Sequence, residues 1–239
     1  MSAKNKFSPR HRRGFSVILC FMVSAVITTF NRSNLLSDAI KSVLSQLYKD
    51  FELIILDNNS TDDTEKVVRS FRDSRIRYVK HLPLNIAQAR NLGAKEAIGK
   101  YIGFLDDDDE WLPNKLEDQL AIFEKSDYGN LGLVYGGFFR VKNGKVFETF
   151  IPTLKGDILQ RYLCERDPLT GSASNPLILK SATLDLGGYD DKLKCSEDWE
   201  FYLRLARKYS VDFTLNQVLK IRQHSGGRLG DKLRDAMEA

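Results

Sequence analysis

The stretch Tyr101-Ile102-Gly103-Phe104-Leu105-Asp106-Asp107-Asp108-Asp109-Glu110-Trp111 runs an apolar, strand-like segment directly into five acidic side chains. Crowded carboxylates repel one another, so the cluster costs stability unless something positive sits among it. A hard divalent cation, Mg²⁺ or Mn²⁺, is the natural guest, because such ions take oxygen ligands and keep company with phosphates. A solvated acidic loop is the ordinary alternative for such a run. The location argues against it, since open α/β sheets bind ligands at the carboxyl ends of their strands.

Outward from this stretch, strand-like and helix-like patterns alternate. Val23 to Thr28 reads as a buried strand. Leu35, Leu36, Ala39, Ile40, Val43, Leu44 and Leu47 recur at helical spacing behind a Ser33 or Asn34 cap. Phe51 to Leu56 is a second strand ending at Asp57, and Ser60-Thr61-Asp62-Asp63 opens a helix in the manner of a capping box. Ile76 to Val79 is a third strand, Ala87 to Ile98 a helix stopped by Gly99, and Tyr101 to Leu105 the fourth strand. Pro113 suits the first turn of a helix whose apolar stripe is Leu116, Leu120 and Phe123. Leu131 to Val141 is a strand, followed by the hairpin signal Asn143-Gly144. Beyond about residue 145 the pattern loosens. A helix over Lys155–Leu163, a strand over Pro176–Leu179, a Gly187-Gly188 turn, a helix over Glu197–Lys208 and a closing strand over Val218–Ile221 remain legible. The order predicts an α/β fold with a mostly parallel central sheet and helices on both faces.

The 239 residues suffice for one good-sized core, and the formal charge of +4 is mild. Much of the excess lies in the first thirteen residues, in Lys4, Lys6, Arg10, Arg12 and Arg13. The remainder is nearly balanced, so no nucleic-acid footprint crosses the fold. The basic leader could still touch an anionic membrane surface. Phe15 to Phe30 is a nearly unbroken apolar run, but its sixteen residues fall short of the roughly 20 that span a bilayer comfortably. Its second half reads better as the first strand. Residues 1–21 are therefore expected to be a leader outside the core, and a start at Met22 would leave every element intact. Residues 22–225 form one domain, with a nucleotide-binding half over 22–112 and an acceptor half over 113–225. Residues 226–239 read as a polar tail. Cys20, Cys164 and Cys195 show neither metal-ligand spacing nor an even count, which fits a reducing, cytoplasmic setting.

Three polar clusters end predicted strands: Thr28-Thr29-Phe30-Asn31-Arg32, Asp57-Asn58-Asn59-Ser60 and Asp106 to Asp109. In a parallel sheet all three lie on one edge and would frame a pocket for a nucleotide carrying a diphosphate. Neither G-x-G-x-x-G nor G-x-x-x-x-G-K-[ST] occurs, so a metal and side chains must neutralise the phosphates.

Several segments together resemble the family 2 glycosyltransferases of the GT-A, nucleotide-diphospho-sugar-transferase-like fold. They are Val23 to Arg32, Ser42 to Asp57, Ser60-Thr61-Asp62-Asp63-Thr64, Ala89-Arg90-Asn91 and Gly99 to Asp109. The similarity covers roughly residues 22–225 and is most specific over its first 120. It implies an inverting, metal-dependent transfer of a sugar from a nucleotide-diphosphate donor to an acceptor hydroxyl, a hexosyltransferase-type activity. Carried over by position, Thr28 and Phe30 would flank the base, and Asp57 and Asn58 would read base and ribose. Asp106 to Asp108 match the D-x-D element, with Asp107 near the ribose or sugar and Asp108 the metal ligand, Mn²⁺ or Mg²⁺. Arg32 and Arg90 are candidates to grip phosphate, though structural ion pairing would suit them equally. Glu197-Asp198 matches the acidic pair at the start of the acceptor-side helix, which makes Asp198 the expected general base. His224 matches a position that can approach the metal. Relatives often carry two aspartates where this chain has Asp57-Asn58. The amide loosens the match to a uracil N–H, and a UDP-sugar remains the favoured donor.

The resemblance further implies a glycan or lipid-linked acceptor and a role in polysaccharide, lipopolysaccharide or other glycan assembly. The expected location is cytoplasmic, peripheral at the inner face of a membrane. Neither the sugar, the linkage nor the oligomeric state has a signature in the sequence. Two other functions compete. A sugar nucleotidyltransferase would need a Gly-rich basic loop after the first strand, which Thr28 to Arg32 lacks. A non-catalytic nucleotide-sugar-binding module would have no use for both D-x-D and Glu197-Asp198. Taken singly, Asp198 could be a helix N-terminal carboxylate, Trp111 and Tyr189 packing residues, and Thr170 to Asn175 a flexible polar border to the acceptor pocket.

Overall fold

The computed structural model describes residues 22–164 and 171–223. The expected leader over 1–21, the tail over 226–239, Thr170 and His224 lie outside the described residues.

The first half alternates strand and helix. Val23–Thr29 (β1), Phe51–Asp57 (β2), Ile76–Lys80 (β3) and Tyr101–Asp106 (β4) are strands. Between them run Ser33–Leu44 (α1), Thr64–Ser70 (α2) and Ile86–Glu96 (α3). These strands pair in parallel, in the order β3-β2-β1-β4. Both faces are covered, so Ala25, Val26, Ile27, Leu53, Ile54, Ile55 and Leu56 are all fully buried. That is why these strands read as continuous apolar runs rather than as alternating ones. On one face α3 lies very close to β1: a Cβ added at Gly93 would stand 2.6 Å from Val26 Cγ1.

The second half adds Glu110–Trp111 (β5), Lys115–Lys125 (α4), Leu131–Lys142 (β6), Lys145–Phe150 (β7), Leu159–Cys164 (α5) and Leu177–Leu179 (β8). Lys180–Asp185 (α6), Glu197–Ala206 (α7) and Ser210–Arg222 (β9) complete it. The sheet continues β4-β8-β6-β9-β5, with β7 hydrogen-bonded to β6. Strand β8 is antiparallel to both neighbours, while β6 and β9 run parallel. The sheet is thus wholly parallel where the three polar clusters lie and mixed beyond.

Three local differences from the sequence reading have clear causes. Helix α2 begins at Thr64, not in the Ser60–Asp63 stretch. The Ser60 oxygen accepts the Asn31 N–H at 2.9 Å, so it is not available as a cap, and Asp62 takes the Thr64 N–H at 3.0 Å. Strand β9 spans thirteen residues rather than the four of Val218–Ile221, because pairing with β6 extends it through polar residues that hide a strand pattern. Residues 171–175, expected to be flexible, are fixed: Ser174 and Asn175 are fully buried. The Asn143-Gly144 turn forms as expected, both residues taking positive φ (50° and 74°) between β6 and β7.

Candidate active site

Register alone brings the three clusters together. Thr28 lies opposite Leu56 on one side and Asp106 on the other, and Thr29 lies opposite Asp57. The Asn58 N–H donates to the Thr29 carbonyl at 2.9 Å, and the Asn31 side chain accepts the Thr61 N–H at 2.8 Å. The tips of β1, β2 and β4 therefore form one continuous ledge. Thr28 is partly exposed on it, and the Phe30 ring, 53% exposed, stands clear of the core.

At the tip of β2 the Asp57 carboxylate is fully buried. It accepts the Ser60 N–H at 2.8 Å and the Tyr78 hydroxyl from β3. The Asn58 amide is spent in both directions on Leu84, accepting its N–H at 2.7 Å and donating to its carbonyl at 2.9 Å. In this arrangement Asn58 pins the loop that leads into α3, while Tyr78 is a member of the site that the sequence reading passed over. Its position on the neighbouring strand, in register with Ile55, was the available signal.

At the tip of β4 the aspartates diverge. Asp107 accepts the Thr29 hydroxyl at 2.8 Å and lies 3.0 Å from an Arg32 nitrogen. The same nitrogen reaches Asp108 at 3.3 Å. Burial pushes the Asp107 carboxyl up to about 6, against the pull of Arg32 and the Thr29 hydroxyl, and the neighbouring Asp108 charge adds to the rise. Asp109, almost fully buried, turns the other way. It accepts the Ser172 and Ser174 hydroxyls at 2.9 and 2.8 Å and approaches the Arg222 N–H at 3.4 Å. Carboxylate oxygens of Asp106, Asp108 and Asp109 nevertheless lie within 4.8 Å of one another. Three hard oxygen donors at that spacing fit a divalent cation such as Mn²⁺ or Mg²⁺.

The residues that hold Asp109 come from far along the chain. Trp111, in the core at 2% exposure, donates its ring N–H to the Ser174 carbonyl at 2.8 Å. The fully buried Lys115 donates to Gln119 at 2.7 Å and to the Asn175 carbonyl. Burial pushes its ammonium well below the ordinary lysine value. The Asn175 amide in turn brackets Gly136 of β6, at 2.9 Å in each direction. Sequence spacing could not have disclosed this clasp, because Asp109 and Lys115 lie sixty or more residues from the serines and the Asn175 they meet.

Arg90 closes the site from α3. One nitrogen lies 3.1 Å from Asp106, and another pairs with Glu197 at the first turn of α7. Arg90 is 4% exposed and Glu197 6%. Burial opposes the arginine's charge, but Asp106 and Glu197 outweigh it and hold the guanidinium cationic. Burial likewise lifts the Glu197 carboxyl, with Arg90 pulling it down and Asp198 pushing it up. Asp198 is partly exposed beside this pair, next to a left-handed Ser196 (φ 58°) that starts the helix. Both arginines named from the sequence are thus engaged with carboxylates, Arg32 at the surface and Arg90 in the interior.

A parallel first half, a mixed second half and an aspartate cluster on the shared strand edge define an α/β architecture of the GT-A kind. The chain belongs to glycosyl transferase family 2, whose family model matches residues 24–180. Among its relatives, an uncharacterised glycosyltransferase of Methanocaldococcus jannaschii is 32% identical over 209 residues, covering 84% of this chain and 70% of that protein. The Escherichia coli protein named UDP-Glc:alpha-D-GlcNAc-diphosphoundecaprenol beta-1,3-glucosyltransferase WfgD is 35% identical over 136 residues, covering 56% of this chain and 53% of its own. An uncharacterised glycosyltransferase of Rickettsia conorii is 32% identical over 208 residues, of which the chain spans a third (33%). The chain thus covers only a third to about half of several of these relatives. Solved structures agree on the fold. Residues 1–349 of S. aureus TarS in complex with UDP-GlcNAc superpose with a TM-score of 0.70 at 19% identity, covering 87% of this chain and 60% of TarS. The mannosyltransferase PcManGT of Pyrobaculum calidifontis, in complex with GDP-Man and Mn²⁺, gives 0.66 at 17%, covering 90% and 60%.

Proposed function

We propose that this protein moves a sugar from a nucleotide-diphosphate donor, a UDP-sugar first, to an acceptor hydroxyl with inversion at the anomeric carbon. The observation that carries this reading is the link made by Arg90. One buried guanidinium joins Asp106 of β4, on the donor side, to the start of α7, which bears Asp198. A donor site and a base on an opposing wall, held in one frame, are what single displacement requires.

Asp198 takes the proton from the acceptor hydroxyl as that oxygen attacks the anomeric carbon from the face opposite the diphosphate, a contribution of about 10²–10⁴-fold. Thr28 and Phe30 border the base, and Asp107, fixed by Thr29, faces the ribose or sugar. Asp108 and Asp106 would hold Mn²⁺ or Mg²⁺, with Asp109 as the braced third carboxylate and His224 a further candidate ligand. Bound there, the ion would supply positive charge to the departing diphosphate.

The UDP-glucose and diphosphoundecaprenol in the name of the E. coli relative support a UDP-sugar and a lipid-linked glycan acceptor. Such an acceptor suits a protein working at the inner face of a membrane. No helix among the described residues is long and apolar enough to cross one. Two measurements test the reading. In a thermal-shift series of UDP-, GDP-, dTDP- and CDP-sugars with Mn²⁺, UDP-sugars should stabilise the protein and a chelator should abolish most of the shift. Equal shifts for every nucleotide would defeat the donor assignment. Asp198→Asn should lose transfer while keeping UDP binding, and unchanged turnover would rule Asp198 out as base.

A further inference from the structure

Arg32 occupies an unusual place for a phosphate-gripping residue. It stands at the start of α1 with its side chain 51% exposed, yet its Nη1 lies 3.0 Å from Asp107 and 3.3 Å from Asp108. Among the described residues its other guanidinium nitrogens make no hydrogen bond. Both contacts fall on the carboxylates that face the ledge, and one of them, Asp108, belongs to the three-carboxylate cluster. The guanidinium there offsets part of the repulsion between the two carboxylates. A divalent cation on Asp108 would meet a fixed positive charge within a few ångströms of its own position, so the two cannot share the carboxylate comfortably. A diphosphate arriving along the ledge offers the same planar guanidinium a second bidentate partner.

We propose that Arg32 is a resident counter-ion of the aspartate cluster that hands its place to the metal. With nothing bound it neutralises Asp107 and Asp108. The phosphates of an incoming nucleotide draw it off, and Asp108 is released to the cation. Cation and nucleotide diphosphate then favour one another's binding, and the coupling is reciprocal. This inference rests on the metal and diphosphate reading of the site given above.

The test is Mn²⁺ binding to the full chain, followed by the electron paramagnetic resonance signal of free Mn²⁺, with and without UDP. Direct bridging of UDP and Mn²⁺ also couples the two, so the deciding quantity is Mn²⁺ affinity without nucleotide. Arg32→Gln should bind Mn²⁺ alone about tenfold more tightly than the wild-type chain, the effect of removing one nearby positive charge. It should also bind UDP more weakly, and UDP should enhance its Mn²⁺ affinity less. Arg32→Lys, which keeps the charge, should stay near wild type in Mn²⁺ affinity. Unchanged or weaker Mn²⁺ binding by Arg32→Gln, with UDP still bound, overturns the handover and leaves the site assignment standing. Failure of both proteins to bind Mn²⁺ or UDP overturns the site assignment and the handover together.

Discussion

Arg90 and Glu197 form an ion pair buried between α3 and α7, at 4% and 6% exposure, although 107 residues separate them. Glu197 relies on Arg90 for its compensating charge, while the guanidinium is shared with Asp106 at 3.1 Å. The pair therefore sets the distance between the two walls of the site. Arg90→Met should cost about 3–5 kcal/mol, because it strands the buried Glu197 charge, whereas Glu197→Leu should cost less, because Asp106 still holds the guanidinium. The double variant should recover much of that loss. Urea unfolding of the four proteins measures the coupling, and strictly additive losses would show that the pair carries no interaction of its own.

Asp109 tells a different story from its neighbours. Ser172 and Ser174 satisfy its carboxylate, so removing either hydroxyl leaves a buried charge short of a partner. Ser174→Ala should cost about 1.5–3 kcal/mol, the range for hydrogen bonds to charged groups. Because Asp109 then drifts from Asp106 and Asp108, Mn²⁺-dependent UDP affinity should fall as well. Calorimetric titration at a temperature where the variant is folded separates the two effects, and intact nucleotide affinity would show that Asp109 takes no part in the cation site.

Acid should weaken the fold through two loop carboxylates, Asp62 beside the ledge and Asp73 at the opposite end of the sheet, before β3. Asp62 and Asp73 are each held at about 2 against an ordinary value of 3.8. For Asp62 burial works the other way, but the Thr64 hydroxyl and the Ser33 and Thr64 N–H groups outweigh it. For Asp73 the Arg75 side chain and N–H are the cause. A carboxylate whose value is lowered by folding stabilises the protein above its unfolded value, and that stability is lost as pH falls through the folded one. Stability should thus decline from about pH 4 towards pH 2. Urea midpoints at pH 6, 4 and 3 measure the decline. Asp62→Asn should flatten it, and an identical slope in that variant would remove Asp62 from the account.

Gly93 offers a change far from the chemistry. An alanine Cβ would press against Val26 at 2.6 Å, forcing α3 away from β1, at a cost of about 1–3 kcal/mol. Because α3 carries Arg90, the displacement should also lower transfer activity, while Gly99, at the strand's opposite end, has no such route to the site. Chemical denaturation together with a transfer assay reports both. Full stability in Gly93→Ala would mean that α3 sits less tightly on the sheet than described.

The sequence alone determined the parallel first half. Its three central strands are buried on both faces and its helices on one, so each of these elements writes its own period into the chain. The parallel order then carries Thr28, Asp57 and Asp106 to one edge without further information. Only the tertiary structure decided what each polar side chain does at that edge. Asp109, next to Asp108 in sequence, is held in place by two serines from a segment more than sixty residues on. Arg90 and Glu197 meet through the packing of α3 against the far half, and β9 is a strand along most of its length because β6 lies beside it. The reason is physical: apolar periodicity is a local property, set by which face of one element is buried. The partner of a buried charge is set by where distant elements come to rest, and no spacing along the chain records that.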